Sequence, residues 1–106
     1  MTDLKITKLC AEALGYRTQI AVDMATKNGD EYLLVWSDGE VRDSWNPLTD
    51  DAQAMALVKK LGMHIHNDGE TWWAVDGSGE YDSSDYTDLN RAICECVAKM
   101  QGAKNV

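Results

Sequence analysis

Phenylalanine is absent from this chain, and proline occurs once, at Pro47. Without Phe, the large side chains of a core must come from four Trp, four Tyr and five Met, and the Trp residues are expected to anchor it. Basic residues are few. Ten Lys and Arg stand against eighteen Asp and Glu, which gives a formal net charge of −8. The ten are spread from Lys5 to Lys104 rather than gathered into a patch, so the chain repels phosphate backbones and direct nucleic-acid binding is not expected. Long apolar runs are also missing. No segment approaches the ~20 residues of a membrane span, and no basic-then-apolar start suggests a signal peptide, so a cytoplasmic protein away from the membrane is expected. Cysteine is scarce and odd in number, at three. Cys94 and Cys96 lie two apart on one expected helix, where their side chains point roughly 200° apart, so they neither bond each other nor share a metal. Three reduced thiols fit the same compartment.

What is present is ordinary globular material: 44% hydrophobic and 26% charged residues in 106, enough for one domain over 1–106. Residues 3–14, "DLKITKLCAEAL", place Ile6, Leu9, Cys10, Ala13 and Leu14 on one helical face, with Thr2 or Asp3 to cap and Gly15 to close. Residues 19–25 put Ile20, Val22 and Met24 on one parity, which predicts a short strand. "KNGDE" then turns the chain. "EYLLVW" (31–36) reads as a more buried strand, and "SDGE" (37–40) as a hairpin turn into "VRD".

The segment "WNPLTDDAQAMALVKKLGM" (45–63) predicts a turn at Pro47 and then a helix with Thr49 as N-cap. Asp50 and Asp51 fall in its first turn and Lys59 and Lys60 in its last, as the helix dipole favours. Met55, Val58 and Leu61 recur on one face, and Gly62 ends it. Asp68-Gly69 predicts a hairpin that pairs Ile65 with Trp72, Met63 with Ala74 and His64 with Trp73. Met63, Ile65, Trp72 and Ala74 then share one face, and His64, His66, Trp73 and Val75 the other. Residues 76–88 read as a polar acidic loop, and 88–101 as the strongest helix, with Leu89, Ile93, Cys96, Val97 and Met100 as its stripe. Asp88 or Thr87 caps it and Gly102 ends it. The class predicted is α+β: an antiparallel sheet of about four strands packed by three helices.

"WNPLTD" (45–50), a helix ending in "LG" (61–62), a hairpin carrying "WWA" (72–74), and "LNRAICECVAKM" (89–100) together resemble the phage ABA-sandwich domain, as does the opening "ITKLCAEALGY" (6–16). The resemblance covers nearly the whole chain. It implies a helix–sheet–helix sandwich and a phage or prophage origin. It supplies no activity, no cofactor and no catalytic residues. Leu48-Thr49-Asp50-Asp51 departs from the family's continuation of the W-N-P segment.

Chemical signatures are sparse. His64 and His66 form H-x-H on a strand, two candidate metal ligands without a third at conventional spacing. A calcium loop counted from Asp76 fails, because positions six and twelve are Tyr81 and Thr87. No Gly-rich phosphate loop and no nucleophile–base signature occurs. The leading expectation is therefore a non-enzymatic accessory protein, without cofactor, that binds a host or phage protein. Its candidate surface is Trp45, Asp50, Asp51, Asp82, Asp85, Tyr86 and Asp88. The competing readings are a metal-dependent or hydrolytic enzyme on His64, His66 and the acidic loop, and a self-associating structural protein that dimerises through a helix face or sheet edge.

Overall fold

The computed structural model describes residues 1–26 and 28–104. Lys27, the first residue of the expected "KNGDE" turn, lies outside the described residues. The elements are α1 (Asp3–Ala13), β1 (Arg17–Val22), β2 (Glu31–Ser37), β3 (Glu40–Arg42), α2 (Asp51–Leu61), β4 (His64–Asn67), β5 (Trp72–Val75) and α3 (Leu89–Lys104). Among the described residues the class is α+β, with three helices and antiparallel strands. The strands form two sheets, β1-β2-β3 and β4-β5, rather than one sheet of about four.

Local chemistry accounts for most element ends. The Thr2 hydroxyl caps α1 by accepting from the Lys5 N–H. At the other end Gly15 takes φ +82°, which lets the N–H of Tyr16 return to the Ala11 carbonyl. Asp38 and Gly39 both have positive φ, as a two-residue hairpin turn demands, and they set Ser37 opposite Glu40. The 45–50 segment is a knotted turn around Asn46. Its amide Oδ1 accepts the Leu48 N–H, its carbonyl accepts the N–H groups of Thr49 and Asp50, and its own N–H donates to Gln53 Oε1. Pro47 is fully buried there. The N-cap of α2 is Asp50, not Thr49, and its carboxylate accepts from the Gln53 N–H.

Helix α3 is central. It touches α1, α2 and β5, while α1 also touches β1 and β2. Burial on more than one side of α3 explains one departure. Cys94, which points to a different face of α3 from the Cys96 stripe, is fully buried as well, with the Cys10 thiol 3.7 Å from its carbonyl oxygen. Gly102 does not end α3, which runs on to Lys104. In α2 the buried residues are Ala54 and Leu57, and Met55, expected on the packed face, is 39% exposed.

The core is aliphatic rather than aromatic. Its largest fully buried side chains include Ile6, Leu9, Leu57, Ile93, Val35 and Val97. Of the four Trp residues only Trp45 is buried, edge-on to Tyr16. Trp36, Trp72 and Trp73 are half-buried. In the second hairpin the reversal falls at Gly69-Glu70, closed by the Asp68 N–H to the Thr71 carbonyl, rather than at Asp68-Gly69. Ile65 therefore pairs with Ala74 and His66 with Trp73. The shift is two residues, so parity is kept: Met63, Ile65, Trp72 and Ala74 still share the packed face.

Candidate functional site

The starts of all three helices meet at one end of the molecule. Arg91, in the first turn of α3, pairs with Asp3 of α1 at 2.9 Å and with Glu95 at 3.3 Å. Asn90 Nδ2 donates to Asp51 Oδ1, the first residue of α2, at 2.8 Å. Thr7 of α1 lies against Asn46, in the turn that leads into α2. Three positive helix ends are thus gathered, and carboxylates answer them. The Arg91 guanidinium holds the Asp3 carboxyl below the usual carboxylate range, and that same bond raises Arg91.

Asp50, Asp51 and Asp88 belong to this end. All three are exposed. Asp50 caps α2, and Asp88 Oδ1 faces the Asn90 N–H at 3.3 Å. Asp85, also exposed, lies on the approach to α3. None of these four carboxylates makes an ion pair among the described residues.

Asp82 is not brought to the helix starts. It lies opposite Val75, and its carbonyl accepts from Lys99, which is about three turns along α3 from Asp88. Tyr86 is half-buried and pairs with Trp72 through two backbone hydrogen bonds, of 2.7 and 2.9 Å. Burial, and then Glu95, raises its phenol. Trp45 is 8% exposed, so its ring belongs to the core. It also lines a groove of about 300 Å3, together with Asp3, Leu4, Tyr32, Leu33 and Asp43.

The 76–88 segment is not a plain solvated loop. Bridges at Val75–Asp82 and Trp72–Tyr86 lay it along the free edge of β5. The Ser83 hydroxyl is fully buried, where it accepts the Ala74 N–H. Asp76 is buried as well. Its carboxylate accepts from the Ser78 hydroxyl at 2.7 Å and the Tyr81 N–H at 3.1 Å, and those bonds hold its pKa down. No local pattern marks Ser83 or Asn90 as organising residues, and for Asp76 the one signal is the Asp76-x-Ser78 spacing of a local turn.

His64 and His66 lie on the outward face of the hairpin, both exposed. His66 stacks on Trp73 with centroids 5.2 Å apart and planes 10° from parallel. Among the described residues no group of three or more His, Cys, Asp or Glu could hold a metal ion. Among the described residues no helix is long and apolar enough to cross a membrane. No family model, curated protein or solved structure matches the chain.

Proposed function

We propose that this chain is a small phage or prophage accessory protein of the host cytoplasm, which acts by binding a protein partner through its acidic end. The observation that carries the reading is the Asn90–Asp51 contact. It sets Asp50 and Asp51 beside Asp88 as exposed carboxylates without cationic partners among the described residues. Such a surface favours a partner with a basic face, and attraction of this kind fades with salt. The phage part of the reading rests on the resemblance of the W-N-P turn, the "WWA" hairpin and the last helix to the phage ABA-sandwich domain, and a helix–sheet sandwich is the finer form of the fold it implies.

The test is a variant carrying Asp50→Asn, Asp51→Asn, Asp85→Asn and Asp88→Asn. Asn serves almost as well as Asp at an N-cap, so the helix starts should hold. The variant should keep its fold by circular dichroism and lose its partner in affinity capture. A partner retained at undiminished affinity would remove the acidic end from the binding surface.

A further inference from the structure

The edges of the three-stranded sheet differ. At one edge β3 is three residues long and carries Glu40 and Arg42, paired with each other at 3.7 Å. Short, charged edges resist further pairing. At the other edge β1 is six residues long, "RTQIAV", with no Pro, Gly or Lys. Ile20 is 37% exposed and Val22 50%. Among the described residues, no backbone hydrogen bond outside the β1–β2 ladder uses Thr18, Ile20 or Val22.

The direction of the unused groups follows from the ladder. The Asp23 N–H donates to the Asp30 carbonyl at 2.8 Å, so the backbone groups of Asp23 face β2. Strand alternation turns those of Arg17, Gln19 and Ala21 the same way and those of Thr18, Ile20 and Val22 outward. We propose that β1 pairs antiparallel with β1 of a second copy of this chain, about a two-fold axis through Ile20, to form one continuous six-stranded sheet.

This register is self-complementary on three counts. Ile20 meets Ile20 and Thr18 meets Val22, so every outward N–H and C=O of these residues gains a partner. A two-fold axis normal to the sheet keeps each residue on its own face, which allows only pairings of equal parity. Ile20 and Val22 are then covered. Arg17 also comes opposite Asp23 of the other copy, on the face where its guanidinium already lies 4.3 Å from the Trp36 ring centroid. No acidic residue lies between Gly15 and Val22, so the joined strands bring no carboxylates of their own into conflict.

The experiment is sedimentation of the purified chain across the micromolar range, with cysteine cross-linking under mild oxidation. A hydrogen-bonded antiparallel pair has Cα atoms about 5.5 Å apart, within the range a disulfide spans. Ile20→Cys should therefore link two copies, and Gln19→Cys, whose opposite residue is Ala21, should not. Cys10, Cys94 and Cys96 are buried and add no background. Arg17→Asp should weaken the dimer about tenfold, and Arg17→Asp with Asp23→Arg should restore it. A chain monomeric at every concentration, or a dimer that Gln19→Cys links as fast as Ile20→Cys, overturns the proposal. So does an Ile20→Cys variant that links in lysate to a different protein, which would give the edge to a foreign strand.

Discussion

The Asn90 carboxamide donates to Asp51 Oδ1 across a sequence separation of 39 residues, and this bond ties the first turn of α3 to the first turn of α2. It explains why two acidic segments far apart in the chain lie side by side. The bond is exposed, so its contribution to stability is small. Asn90→Ala should cost no more than about 1 kcal/mol in urea unfolding. Asp50→Ala, which removes a cap, should cost about 1 kcal/mol, and Asp50→Asn only a small part of that.

Among the Trp residues, the fold depends most on Trp45. Trp45→Ala should cost about 3–5 kcal/mol, because its ring is buried in the core and packs edge-on to Tyr16. Trp73→Ala should cost clearly less, since that ring is half-buried and faces outward against His66. Equal losses in the two variants, read by chemical denaturation, would contradict the packing described.

Much of this framework was legible in local chemistry. The α1 stripe, the Asp38-Gly39 hairpin and the α2 cap region each combine periodicity with a boundary residue, and each forms close to its expected place. The β1 strand was only partly legible, because Ile20, Val22 and Met24 look like a buried parity yet are exposed. The division into two sheets was not legible, since strand partners are chosen by long-range packing on α1 and α3 that no local pattern encodes. The exposed carboxylates could be named from the sequence, but not their grouping: Asn90 brings Asp51 to Asp88, backbone pairing to β5 holds Asp82 away, and Trp45, named with them, lies in the core.

The thiols should be inert in the folded protein. The hydrogen bond with Cys94, together with burial, pushes the Cys10 thiol far up, and burial, with Asp76 beside it, raises Cys96 to about 11. A thiol reagent at pH 8 should label none of the three until denaturant is added. The sign for stability follows. A raised pKa disfavours the thiolate in the fold, so stability is full below the unfolded value near 9.0 and falls as pH climbs from there toward 11. The slope is about 1.4 kcal/mol per pH unit for each thiol ionised only in the unfolded chain. Urea midpoints measured across that window check it.

At acid pH the carboxylates govern. Asp3, Asp68 and Asp76 are all held below 3.8, by Arg91, by the N–H groups of Thr71 and Glu70, and by Ser78 with Tyr81, respectively. Their contribution is present above 3.8 and is lost as pH falls through their folded values. Asp76→Asn should make the acid limb of the stability profile shallower. A profile identical to the wild type would contradict the role given to that carboxylate.

The proposed recognition of a basic protein partner by the acidic end is tested by affinity capture of the tagged chain from host lysate at low and high salt, read by mass spectrometry. One dominant protein with a basic face should be captured at low salt and lost at high salt. Capture that is indifferent to salt would contradict it and place the recognition on an apolar surface instead.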